Sequence, residues 1–274
     1  MRYRCLSNVY LGLCLAGLPV LAAAHGPLFS FSPRTEFKDA YVYELTAERQ
    51  EAAGVADNLF EASFRYGVTS NWDLGLRLPY RDPDANGANM GNPRSGFGDA
   101  ALLTRYRLWR QAREDVMRSF TVLGDVEFDS GAEGVGSGST DALAALAYGY
   151  ESLDWYYWAS AGYRYRGEGD GGLQEGGTTL LNLVGGWRPR TPEYGEPDTV
   201  FLVELNGEIT ERAERDGRDL ANSGGTQVFV SPGMIWTYGQ FNMRPGIQIP
   251  VYSDLNGNQP ESDFRARLEL EMHF

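Results

Sequence analysis

Cysteine is nearly absent from this chain of 274 residues, with Cys5 and Cys14 its only two. Both fall in a leader. Arg2 and Arg4 give a positive start, residues 9–21 are apolar, and Ala22-Ala23-Ala24 supplies a small-residue cleavage site. Residues 1–24 therefore read as a cleaved secretory signal, with the mature chain beginning at His25. The apolar stretch is too short for a transmembrane anchor. Leu13, bulky where a small residue is needed before Cys14, argues against a lipoprotein. A mature chain without cysteine has neither disulfides nor thiolate chemistry. Long hydrophobic runs are a second absence, since nothing after the leader approaches the ~20 apolar residues of a membrane helix. Positive charge is the third. The leader takes two of the 24 basic residues and none of the 37 acidic ones, moving the net charge from −13 to about −15. That balance argues against a nucleic-acid partner, which wants a basic patch.

What is present is alternation. In the last twelve residues Phe264, Ala266, Leu268, Leu270, Met272 and Phe274 share one face. Asp263, Arg265, Arg267, Glu269, Glu271 and His273 share the other. A period of two marks a strand, because successive side chains leave a pleated backbone on opposite sides. One apolar face, one charged face and a terminal Phe look like the closing strand of an outer-membrane barrel.

The same alternation gives twelve segments, starting near Phe37, Leu59, Trp72, Gly98, Phe120, Ala142, Trp155, Thr179, Val200, Thr226, Phe241 and Asp263. Tight turns follow strands two, six and ten, at 69–71, 151–154 and 238–240. Longer polar loops follow odd-numbered strands, at 81–96, 130–141, 167–177, 211–225 and 252–262. Short turns opposite long loops, with an even strand count, are barrel properties. Trp72, Trp109, Trp155, Trp187 and Trp236 all lie beside even-numbered connections, as an interfacial girdle requires. Four of them have outward parity, and Trp109 is off by one. The expected fold is all-β: a transmembrane antiparallel up-and-down β-barrel of about twelve strands over residues 37–274, in the bacterial outer membrane and in contact with its lipid.

Residues 25–36 form a separate N-terminal segment, periplasmic or lumenal. Pro27 and Pro33 would each interrupt a ladder. Leu28, Phe29 and Phe31 are too apolar to leave in water. The segment is expected to tuck into the periplasmic opening and narrow it, with Arg34 pairing to a lumen acid.

A series of short motifs runs along the mature chain, most densely after Ser95. Ser95-Gly96-Phe97-Gly98-Asp99, leading into Thr104-Arg105-Tyr106-Arg107-Leu108, is followed by Gly136-Ser137-Gly138-Ser139-Thr140-Asp141 and by Glu204-Leu205-Asn206-Gly207-Glu208. Ser223-Gly224-Gly225, Ser231-Pro232-Gly233, Ile249-Pro250-Val251 and Leu255-Asn256-Gly257 then come in order. The set resembles the outer-membrane barrels named for the meta-pathway of phenol degradation, over nearly the whole mature chain. That resemblance implies passive passage of small aromatic or hydrophobic solutes. It also implies insertion by the barrel-assembly machinery through the end formed by Phe274, Met272 and Leu270. The alternative is a structural or adhesion barrel with a plugged lumen.

Inward parity assigns charges of both signs to the lumen. Arg65, Arg77, Arg105, Arg107, Arg164, Arg244, Arg265 and Arg267 face Asp125, Glu127, Glu204, Glu208, Glu269 and Glu271. They are candidates for a selective constriction, or for structural pairs that stiffen the barrel. His25 and His273 are poor metal candidates, since no third histidine and no cysteine would complete a site. Asp254-Leu255-Asn256-Gly257-Asn258 resembles the start of a calcium loop, but Gln259 stands where that loop needs Gly. Neither histidine has outward parity in mid-membrane, so no base is at hand to activate a serine there. No enzyme and no cofactor is expected.

Overall fold

The computed structural model describes residues 26–83, 94–193 and 195–274. The signal sequence, His25 and most of the loop after the third strand lie outside the described residues. Twelve long strands follow in chain order: β1 Tyr41–Ala52, β2 Val55–Thr69, β3 Trp72–Pro83, β4 Ala101–Ala112, β5 Val116–Glu127 and β6 Asp141–Ser152. The second half comprises β7 Trp155–Tyr165, β8 Thr178–Trp187, β9 Asp198–Thr210, β10 Gly225–Tyr238, β11 Phe241–Leu255 and β12 Ser262–His273. Each pairs antiparallel with its chain neighbours, and β12 returns to β1 from Val42–His273 to Ala52–Ser262. The sheet has closed on itself, so it keeps no edge between its first and last strands.

Departures from the expected strand starts are local. β1 begins at Tyr41 rather than Phe37, because Asp39 takes a left-handed turn with φ 64° and donates its N–H to the Gly67 carbonyl. β2 begins four residues early, at Val55, since Ala53 and Gly54 make a two-residue hairpin with φ of 49° and 76°. Before β4, Gly96–Phe97 pairs back onto Tyr80 and Arg81, which delays the barrel strand to Ala101. β5 begins at Val116 instead of Phe120, close against a short turn.

Trp109 does face outward. A bulge between Arg107 and Trp109 sets Arg107 opposite Thr121 but Trp109 opposite Phe120. One extra residue in a strand reverses parity beyond it. The outer wall is apolar, with Leu45, Leu76, Leu183, Val203, Leu205 and Ile247 all exposed. At the end where β12 finishes, Phe274 stacks on Tyr41 with ring centroids 5.3 Å apart. That end also carries Trp72, Trp109, Trp155, Trp187 and Trp236, a girdle at one membrane interface.

Loops at the opposite end are tied to one another. The Asp99 carboxylate accepts N–H groups of Ser130 at 2.9 Å, Gly131 at 2.7 Å and Ser137 at 2.6 Å. Burial pushes its pKa up, but these bonds outweigh that and leave it below the ordinary value. Glu214–Arg215 pairs with both Arg218–Asp219 and Leu173–Gln174, joining two further loops.

Candidate functional site in the barrel lumen

The interior divides into two sectors. On β11, β12 and β1 to β4 many inward positions are charged, with neutral residues such as Val42, Thr46, Asn242 and Gln248 between them. Arg244 Nη2 lies 2.7 Å from Glu44, 2.9 Å from Glu269 and 3.0 Å from Glu271. Arg65 reaches Glu271 at 2.9 Å and Glu44 at 3.5 Å. Arg105 spans Glu36 at 2.9 Å and Asp73 at 3.0 Å. Toward the loop end some pairs loosen. Arg77 stands 3.3 Å from Glu127, 3.6 Å from Glu61 and 3.9 Å from Asp125. Others stay close: Arg265 pairs with Glu208 at 2.6 Å, and Arg267 with Glu48 at 2.5 Å.

On β7 to β10 the inward positions near the aromatic end are mostly apolar, with Asp198 and Thr237 at the rim. Tyr156, Trp158, Val184, Val200, Leu202 and Ile235 form one buried cluster. An aliphatic side chain of this kind is worth ~1.5–3 kcal/mol when fully withdrawn from water. A wet lumen would not bury them, so this part of the interior is a packed core.

Residues 26–36 run through the lumen and join the sectors, and residues 37–40 carry the chain over the rim to β1. The Glu204 carboxylate accepts the N–H of Leu28 at 2.6 Å and of Phe29 at 3.2 Å, and the Ser30 hydroxyl at 2.5 Å. Asn206 donates to Ser30 Oγ at 3.0 Å, and Thr121 donates its hydroxyl to the Pro33 carbonyl. Arg34 forks onto Glu151, and Glu36 joins Arg65 and Arg105. Arg267 donates to the Leu28 carbonyl at 2.7 Å and lies 4.9 Å from the Phe29 ring. The segment thus touches strands on every side of the lumen.

The candidates read from the sequence therefore separate. Arg65, Arg105 and Arg244 meet in one ionic cluster, and Arg77, Asp125 and Glu127 in another. Arg265 and Glu208 pair with each other. Glu204 is given over to the N-terminal segment. Arg107 leaves the group altogether, since its guanidinium donates to the Ser70 carbonyl and to Asn71 at the aromatic rim. Arg164 stands near Asp125, Glu127 and Arg77, without an ion pair among the described residues. Glu44, Glu48, Glu61 and Asp73 join these pairs too; inward parity marks each of them, although none is among the candidates. His273 packs against Glu271 and Asn242. Among the described residues no group of three or more His, Cys, Asp or Glu side chains is placed to hold a metal ion. Phe274 and Met272 point outward, at 48% and 44% exposure.

Two concave patches of about 600 and 580 Å³ lie on the outer wall rather than in the lumen, over Ala159, Gly185 and Ala161. Small outward residues leave these hollows for lipid.

No protein-family model and no curated protein matches the chain. Solved structures do. An outer membrane channel from Pseudomonas putida F1 superposes with a TM-score of 0.71 at 12% identity, over 90% of this chain and 100% of that one. The NanC porin gives 0.53 at 9% identity, over 84% and 98%. At such identities the likeness establishes the fold, a twelve-stranded outer-membrane β-barrel.

Proposed function

We propose that this barrel is a passive channel for small aromatic or hydrophobic solutes, of the kind named for the meta-pathway of phenol degradation. The observation that supports this most is the lining. Phe29 and Phe31, half-buried on the N-terminal segment, present apolar surface to the lumen beside the packed core of β7 to β10, in a barrel whose other sector is ionic. Arg164, Arg77 and the acids around them stand toward the loop end, where a solute would first meet charge. The outer-membrane channel and the porin it resembles in fold are consistent with passage. On this reading residues 1–24 are removed on export, and Phe274, Met272 and Leu270 present the chain to the barrel-assembly machinery. Catalysis has no part in it.

A second reading has its own observation. Glu204 is 1% exposed and holds the N-terminal segment across the lumen, as a plugged structural barrel would require. One experiment separates the two. Removing residues 26–33 behind an intact signal should raise single-channel conductance in planar bilayers, and liposome swelling should favour aromatic acids over sugars of similar size. A barrel that assembles normally yet stays closed to ions and aromatics after the deletion would support the structural reading.

A further inference from the structure

The wall has one weak seam. Between β10 and β11 the pairing runs from Gly225–Leu255 to Val230–Ile249, touches again only at Gly233–Gly246, and resumes at Trp236–Met243. Between Val230 and Trp236, roughly 20 Å of strand, a single residue pair keeps its ladder contact. The ladders on either side, β9 with β10 and β11 with β12, run unbroken through the same height. Pro232 and Pro245 are the cause, because neither carries an N–H to donate. Proline is ordinarily confined to edge strands or bulges.

The next residue in each strand is glycine, and the two glycines face one another. Two Pro-Gly steps therefore meet across the seam, at a patch where the wall offers no inward side chain. Leu28 fills that place from within. A Cβ at Gly246 would collide with Leu28 Cδ2, and one at Gly233 would lie 3.8 Å from it. Leu28 is 3% exposed, and its backbone is fixed by Glu204 and Arg267. A thinned, donor-poor section of wall, its two strands in backbone contact at the glycines, is thus backed from within by one aliphatic side chain. On its outer side lie Pro232, Met234, Pro245 and Ile247, an apolar surface against lipid.

We propose that this seam is a lateral port, through which neutral apolar solutes pass between the lumen and the bilayer when the two strands part at the glycines and Leu28 withdraws. The proposal rests on the passive-channel reading and adds the route. Charged and strongly hydrated solutes would not take it, since the port opens onto hydrocarbon.

The test locks the seam without touching the prolines. Val230 and Ile249 are directly paired, and no cysteine follows residue 14, so Val230→Cys with Ile249→Cys gives a single cross-strand pair. In proteoliposomes the probes are N-phenyl-1-naphthylamine for apolar flux and potassium chloride for conductance. Oxidation should lower apolar flux by about tenfold and reduction should restore it, with conductance unchanged. Leu28→Ala should raise apolar flux in the same assay. Apolar flux that is equal in the oxidised and reduced pair, or that falls only in step with conductance, would overturn the port and leave the channel standing. A parent protein that passes neither probe would overturn both.

Discussion

The ionic and apolar sectors of the lumen are made by the same barrel and the same parity rule, yet they hold it together differently. Around Arg244 one guanidinium answers three carboxylates, and each member depends on the others because none could stay buried alone. Around Leu202 and Ile235 the contacts are non-directional, and each side chain contributes for itself. An inward position in this barrel is therefore not one environment. Removing a member of the ionic sector exposes charges to each other; removing a member of the apolar sector leaves a cavity.

Arg244→Ala probes the ionic sector and should have the largest effect. Glu44, Glu269 and Glu271 would be left without their shared partner, at a cost of about 3–5 kcal/mol. Urea unfolding in detergent, followed by the gel shift of the folded barrel, would measure it. A cost near zero would mean that the sector is wet and the carboxylates are screened. Leu202→Ala should come next, at roughly 3 kcal/mol in the same assay, from lost transfer energy and a residual cavity. If it costs nothing, the apolar sector is not packed. Arg77→Ala sharpens the comparison within the ionic sector. Its pairs are longer and more open than those of Arg244, so its cost should be about 1 kcal/mol or less. It should instead shift the reversal potential of the channel toward cations. An equal loss of stability at Arg77 and Arg244 would erase the difference between these two ionic groups.

The smallest effect belongs to the loop end. Burial alone would raise the Asp99 pKa, but the bonds from Ser137, Ser130 and Gly131 hold it below the ordinary value of 3.8. A lowered folded-state pKa means that its stabilisation is fully present above the unfolded-state value and is lost as the pH falls through the folded-state one. Proteolytic cutting within residues 128–140 should therefore rise as the pH is lowered below about 4, where an unfolded aspartate begins to bind its proton. Asp99→Asn should show raised cutting already at neutral pH. A pH-independent pattern in the parent protein would remove Asp99 from the account.

Much of the fold was legible because alternation is a property of one strand at a time. Leu268, Leu270 and Met272 face outward as their spacing requires, and twelve alternating segments correspond to twelve strands. Parity counting misplaces Trp109 because a bulge is invisible until the partner strand is known. The candidate site was legible only in part. Arg65, Arg105 and Arg244 could be assigned to the interior from β2, β4 and β11, but not to a common cluster. Val184, Val200 and Leu202 could be read as inward without any sign that they would meet.

The sequence by itself determined the barrel, its strand number and, away from bulges, the face a side chain presents, because period-two patterning and turn chemistry act over a few neighbouring residues. Only the tertiary structure decided who meets whom inside. Closure of β12 onto β1 fixes the stagger of every strand, and that stagger sets which inward residues share a level. It brought Glu204 under the backbone of Leu28, placed Pro232-Gly233 beside Pro245-Gly246, and separated an ionic sector from an apolar one. Leu28 and Glu204 touch across 176 positions of chain, and no local pattern records such a distance.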